Sequence, residues 1–228
     1  MDETYSYRDH LSNVILAKFA FCEVRNAAAI VASTSPDEWN DIVIVLGNFS
    51  LESGDILGVG GNKSDLAARL DECFRERAWR EGRVDTLIKL AVRISPYHKA
   101  GEKEAKVTES IVENEGYKVD NLKGRIALDV EWNAKDGNLD RDLGAYRALY
   151  EAALIDGGVL ITRTQDDLRS LALRMDPAST KFATTTTTNL TKLRPRLTRG
   201  DAGGCPVLAI AITSRCYRSH VGDGGILT

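Results

Sequence analysis

Cysteine and histidine are scarce: the 228 residues include four Cys and three His. Cys22, Cys73, Cys205 and Cys216 form no Cys-x-x-Cys pair, and only His10, His98 and His220 are there to assist them, which argues against a zinc site. Cys22 and Cys73 fall in apolar helical patterns and read as the reduced thiols of a cytosolic protein. Long hydrophobic runs are missing too. No uninterrupted apolar stretch approaches the ~18 residues of a membrane span. The opening MDETYSYRDH has neither the basic start nor the apolar stretch of a signal peptide. The expectation is a cytoplasmic protein with no membrane partner. Nor is there a large excess of one charge: the formal net charge of −3 argues against a protein that coats nucleic acid.

What is present is a globular composition, 43% hydrophobic and 28% charged, in a chain long enough for one sizeable core. The charge is unevenly spread. Residues 179–218 hold seven basic side chains against one acid, Asp201, a local balance of +6. Residues 33–60 hold five acids and no Lys or Arg. Such a split suits a basic face offered to a polyanion, although a solvated basic loop accounts for it equally well.

Residues 7–32, rich in Ala, Leu, Val and Phe, read as one long, largely buried helix. The run DIVIVLGNF after Pro36 reads as the end of a helix, with a strand as the alternative. Ser64 is placed to cap a helix whose Leu66, Leu70, Cys73 and Phe74 share a face, running to about Trp79. The preceding GVGGNKS lacks the Gly directly before Lys that a phosphate-binding loop requires. Lys63 and Ser64 there suit a simple cap better than a DNA phosphate. Residues 84–94 read as a strand, 95–116 as a polar surface connector, and extended structure resumes at Tyr117.

In RIALDVEWN, Ile126, Leu128, Val130 and Trp132 alternate with Ala127, Asp129, Glu131 and Asn133, the period-two signature of a strand with a core face and an acidic face. A Gly137 turn leads into an amphipathic helix marked by Leu139, Leu143, Tyr146 and Tyr150, and then the apolar strand GGVLITR. A helix from Asp166 to about Leu173 follows. An irregular stretch then runs through five consecutive threonines, 184–188, and a last core strand, PVLAIAITS, closes the pattern.

Asp129 and Glu131 project to one side of their strand, with the Val130 carbonyl between them, and Asp120 precedes them at short range. Hard oxygen donors in this number suit Mg²⁺, which keeps several waters and takes one or two carboxylates. A lone Asp-x-Glu strand is common and is usually just half exposed; the third acid sets this one apart. Glu72 and Glu81, on or near the preceding helix, read as exposed helix charges.

DNLKGRIALDVEWN resembles the active-site segment of the BglII/BstYI-type restriction endonucleases, a branch of the PD-(D/E)XK nucleases. In that branch an Asp is followed, after eight residues, by an acid, a Val and then Gln or Glu; here these are Asp120 and then Asp129-Val130-Glu131. The likeness continues through Arg141, Asp142 and Leu143 into GGVLITR and covers about the second half of the chain. It implies that Asp120 and the Val130 carbonyl bind the metal, that Asp129 and Glu131 complete the site, and that Glu131 orients or deprotonates the attacking water. Two departures stand out: Asp129 replaces the more frequent Glu, and Glu131 stands where the wider superfamily has Lys. Lys135 is a candidate for the missing cation, although a plain surface lysine is the better reading of it.

The expected fold is α/β: one endonuclease domain over residues 1–228 with a restriction-endonuclease-like core, a mixed central sheet flanked by helices. Residues 1–115 form its mainly helical part, and 116–228 its catalytic strands, helix and basic loop. The catalytic strand is expected to be central, with the C-terminal strand added to its other side. The expected partner is duplex DNA, contacted by Asn133, Lys135, Asn189, Lys192, Arg194, Arg196 and Arg199, because Asn, Lys and Arg are the side chains that read bases or hold phosphates. A palindromic target read by one site per chain calls for a homodimer, with the helix after the acidic strand as its candidate interface. The alternatives are a structure-selective repair or recombination nuclease, a DNA-binding module that does not cut, and a phosphotransfer enzyme acting on small substrates.

Overall fold

The computed structural model describes residues 1–58, 65–184 and 186–218. The expected Ser64 cap and Lys63, together with Thr185 of the threonine run and His220, lie outside them. In chain order the elements are β1 (Glu3–Thr4), α1 (Tyr7–His10), α2 (Asn13–Lys18), β2 (Phe19–Val24), α3 (Ala27–Thr34), α4 (Pro36–Asn48), α5 (Ser53–Leu57), α6 (Asp65–Arg75) and β3 (Arg80–Ile94). Then come β4 (Lys106–Lys123), β5 (Ile126–Val130), α7 (Gly137–Glu151), β6 (Gly157–Arg163), α8 (Asp166–Met175), α9 (Leu190–Arg199) and β7 (Val207–Ile212).

The strands hydrogen-bond in the order β1-β2-β7-β6-β5-β4-β3, a mixed sheet in an α/β fold. β5, β6 and β7 are parallel, and β2 and β4 flank them antiparallel. Every residue of β5, β6 and β7 is buried, as continuous apolar runs in parallel strands require. The C-terminal strand β7 does not adjoin the acidic strand β5, because β6 lies between them. On β6, a Cβ at Gly158 would fall 2.4 Å from the Tyr146 ring. The bare backbone lets that ring close on the sheet, where its hydroxyl donates to the Val159 carbonyl at 2.8 Å.

The chain divides into two compact units, Met1–Glu81 with Val119–Thr228, and Gly82–Lys118. The second is built from β3 and most of β4, tied by the Arg83–Glu115 and Lys89–Glu109 ion pairs at 2.5 and 3.2 Å. The polar connector expected over residues 95–116 is therefore shorter, since strand β4 already begins at Lys106. Its charged residues sit on an exposed strand rather than in a loop, and polarity alone does not separate the two.

Residues 7–32 are not one helix. β2 interrupts them, pairing with β7 from Phe19↔Ile212 to Val24↔Val207, and Arg25 and Asn26 turn the chain at positive φ. An apolar run that is buried on all sides carries no period to tell helix from strand. Cys22 is buried, but on β2, and Cys73 lies exposed on α6. α6 stops at Arg75, while Trp79 continues into the core and donates its indole N–H to Asp41 Oδ2 at 3.0 Å. The run DIVIVLGNF does close helix α4.

The basic stretch expected to be irregular is helix α9. Asn189 caps it by accepting from the Lys192 amide at 3.0 Å, and Gly200 ends it in the left-handed conformation. Pro195, inside the helix, obscured this in the sequence because proline removes a helical donor. No helix among the described residues is long and apolar enough to cross a membrane.

Candidate active site

Antiparallel pairing of β4 with β5 sets Asn121 opposite Leu128, so the next pair outward is Asp120 with Asp129. The Asp120 amide donates to Asp129 Oδ1 at 2.8 Å. Oδ2 of Asp129 is buried with no well-formed hydrogen bond among the described residues, and the Tyr146 hydroxyl lies against the same carboxyl. Two residues on, the Glu131 amide donates to the Ile161 carbonyl of β6 at 2.8 Å, carrying the pairing past the end of β5. The Glu131 carbonyl accepts from the hydroxyls of Thr162 and Thr188 at 2.9 and 3.0 Å. The backbone around Glu131 is thus fixed from both sides.

Neither acid lies on an exposed face, as the alternation had implied: Asp129 is 3% and Glu131 4% exposed. Helix α7 covers them and adds a third carboxylate, Asp142, at 1%. Asp142 Oδ2 also has no well-formed hydrogen bond among the described residues. Arg141 holds the other oxygen, with Nε and Nη2 at 3.1 and 3.0 Å from Oδ1, and Nη2 stands 3.7 Å from Glu131 Oε1. Asn138, in the first turn of α7, reaches Glu131 Oε1 at 3.4 Å.

Burial is the main cause that raises the pKa of all three carboxyls out of the usual carboxylate range. The neighbouring charge of Asp142 adds to the rise at Asp129, and that of Glu131 to the rise at Asp142. Burial first, then the charges of Asp129 and Asp142, also drives the Tyr146 hydroxyl well upward. Glu131 and Asp142 share a side-chain hydrogen bond, one carboxyl donating to the other, and a buried acid cluster of this kind favours whatever brings positive charge to it.

Among the described residues, no three His, Cys, Asp or Glu side chains are grouped to hold a metal ion on their own. The buried Asp129 oxygen with Asp120 opposite it fits a cation that takes two carboxylates and completes its shell with water, the habit of Mg²⁺.

The structure therefore joins Asp129 to Asp120 by a hydrogen bond and to Glu131 by charge. Sequence reasoning missed Asp142 as a site residue. Its signal was an acid three residues after Leu139 and four before Tyr146, on the buried stripe of α7. Asp71 was missed in the same way. It lies on the α6 stripe with Ala67 and Phe74, is buried, and accepts from Asn121 Nδ2 at 2.9 Å beside Asp120. Glu72 is exposed and paired with Arg75, and Glu81 is exposed.

The candidate DNA contacts are scattered in character. Asn133 and Lys135 are exposed, and Lys135 bridges to Thr187. Lys135 is not the cation beside Glu131; Arg141 stands there. Asn189 is buried as the α9 cap. Lys192 pairs with Asp136 at 2.9 Å, Arg194 with Glu3 at 2.8 Å, Arg196 with Asp140 at 2.7 Å, and Arg199 with Asp201 at 2.5 Å. The basic helix is thus laced to acids of its own chain.

Comparison with curated proteins gives no match. The model of the family described as restriction endonuclease BglII/BglIII matches residues 19–212, from the first residue of β2 to the last of β7, a span that includes both the acid cluster and the basic helix. The chain belongs to this restriction endonuclease family and is a nuclease of that kind.

Proposed function

We propose that the chain is a Mg²⁺-dependent type II restriction endonuclease of the cytoplasm that acts as a homodimer and hydrolyses both strands of a short palindromic site in duplex DNA. The observation that carries this reading is the pairing of Asp120 with Asp129, whose second oxygen is buried with no well-formed hydrogen bond among the described residues, beside Glu131. In this reading Asp120, Asp129 and the Val130 carbonyl hold the cation, which when bound supplies Lewis acidity to a phosphate oxygen and steadies the departing alkoxide.

The chain's own residues do the rest. Glu131 accepts a proton from the attacking water, and its raised pKa suits a base that works near neutral pH. Asn138 and Arg141 fix the orientation of its carboxyl. The water oxygen bonds to phosphorus, one P–O ester bond breaks, and the leaving oxygen takes a proton from solvent water to give an alcohol and a phosphate monoester. Asn133 and Lys135 reach the duplex directly. Lys192, Arg194, Arg196 and Arg199 trade carboxylate partners for phosphates, and Asn189 keeps α9 in place to present them.

The test is incubation of the purified chain with unmethylated phage DNA and Mg²⁺, beside an Asp120→Asn variant and an EDTA control. Discrete bands that require metal and vanish in the variant are expected. A smear would replace sequence-specific cutting with a structure-selective nuclease, and binding without cutting would overturn the catalytic reading. Sedimentation analysis checks the dimer.

A further inference from the structure

The acid cluster of Asp129, Glu131 and Asp142 is buried, and a phosphodiester approaching it is itself an anion. Like charges brought together in a poorly solvated place repel, so a group that keeps positive charge at the mouth of the cluster decides whether phosphate can enter. Among the described residues, the basic side chain in contact with the cluster is Arg141. Its anchoring is one-sided. Nε and Nη2 both donate to Asp142 Oδ1, Nη2 faces Glu131, and Nη1 has no partner among the described residues. The side chain is 61% exposed, whereas the carboxylates it touches are 5% and 1% exposed. A guanidinium fixed along one edge and open along the other has the planar fork that phosphate oxygens accept.

We infer that Arg141 is the phosphate-binding cation of the site: Asp142 anchors it, and its open edge receives a non-bridging oxygen of the phosphodiester next to Glu131. This rests on the nuclease reading above. Asp142 is then a positioning residue that orients Arg141. Helix α7 thereby supplies the site with both a cation and the groups that orient it. The bond made and the bond broken are those of the hydrolysis already described; Arg141 exchanges no proton.

The experiment compares the full-length wild type with Arg141→Ala, Arg141→Lys and Asp142→Asn. Single-turnover cleavage of phage DNA in Mg²⁺, duplex affinity in EDTA and thermal midpoint are measured for each. Arg141→Ala is expected to slow cleavage about 10²- to 10³-fold, the effect of losing one donor to a developing charge. Duplex affinity should stay within a few-fold, and guanidinium ion added at non-denaturing concentration should restore part of the rate. Arg141→Lys should recover part of it through charge alone, and Asp142→Asn should slow cleavage less than Arg141→Ala. Unchanged cleavage in a folded Arg141→Ala, while the wild type cuts, would overturn this assignment alone. A lowered midpoint with a loss that neither lysine nor guanidinium restores would reduce Arg141 to a structural role. A wild type that cuts no DNA would overturn the nuclease reading and this one with it.

Discussion

The backbone amide of Asp120 donates to the Asp129 carboxylate at 2.8 Å, so two acids on neighbouring strands are joined by a bond that needs only one of their side chains. Asp120→Asn keeps that amide, and the side chain it changes is exposed. Stability is therefore expected to change by less than about 0.5 kcal/mol, the usual range for surface substitutions. Cleavage, by contrast, should fall by about 10³-fold or more if Asp120 holds a cation worth several kcal/mol to the transition state. Thermal melts and single-turnover rates on one preparation separate the two. A variant that cuts normally would remove Asp120 from the site.

Stability in EDTA should depend on pH in a direction opposite to that of ordinary ion-paired acids. Asp129, Glu131 and Asp142 have folded-state pKa values raised to about 7, 7 and 8. In the window between the unfolded values near 4 and these, the folded chain holds protons that the unfolded chain has released. Stability from this source is fully present below pH ~4 and is lost as pH rises toward 8. The expected result is a thermal midpoint that drops between pH 5.5 and 8 in EDTA, a shallower drop in Asp142→Asn, and recovery at pH 8 on adding Mg²⁺. A midpoint that climbs over this range would mean the three acids are charged and well solvated in the folded state.

The sequence showed the acidic strand because alternation is a local property: Ile126, Leu128 and Val130 mark it whatever packs on top. It did not show that Asp129 and Glu131 are buried, because the cover comes from α7, whose Asp142 and Arg141 reach them only through tertiary packing. β2 was hidden for a related reason, since Phe19–Val24 is almost entirely buried and so lacks a polar face to betray its period. Helix α9 carries its own start and stop, Asn189 and Gly200, but Pro195 inside it removes a helical donor and masks the helix in the sequence. The basic residues were legible as a cluster. Their pairing with Glu3, Asp136, Asp140 and Asp201 was not, because two of those acids, Asp136 and Asp140, belong to the beginning of α7 and one, Glu3, to β1.

Arg163 is buried at the end of β6 and finds neutral acceptors. It donates to the Trp132 carbonyl at 2.9 Å, to the Thr164 carbonyl at 3.2 Å, to Gln165 Oε1 at 2.5 Å and to Thr187 Oγ1 at 2.7 Å, and lies over the Phe182 ring. Burial lowers its pKa to about 10, so it stays charged at neutral pH. It ties the segment after Glu131 to the threonine run. Arg163→Met should destabilise the chain by about 2–4 kcal/mol, because the carbonyls it satisfied are left buried and unpaired. A chemical-denaturation midpoint checks this; a shift under about 0.5 kcal/mol would mean that water replaces the guanidinium at little cost.

Arg196 is the clearest case of a basic side chain already engaged before DNA arrives: Nε and Nη2 lie 2.7 and 3.0 Å from the two oxygens of Asp140. A phosphate recruiting Arg196 must displace that carboxylate, so the pair opposes binding by whatever it contributes in the free chain. Asp140→Asn removes the competitor and leaves Arg196 donating to the Lys192 carbonyl at 3.0 Å. Duplex affinity in EDTA should rise, and the slope of log affinity against log salt should steepen by roughly 0.9 for the added phosphate contact. Removing a negative charge raises affinity even at a distance, but adds no counterion-releasing contact. The slope therefore decides between the two: if affinity rises with the slope unchanged, Arg196 stays on its own side of the interface and α9 meets DNA through other residues.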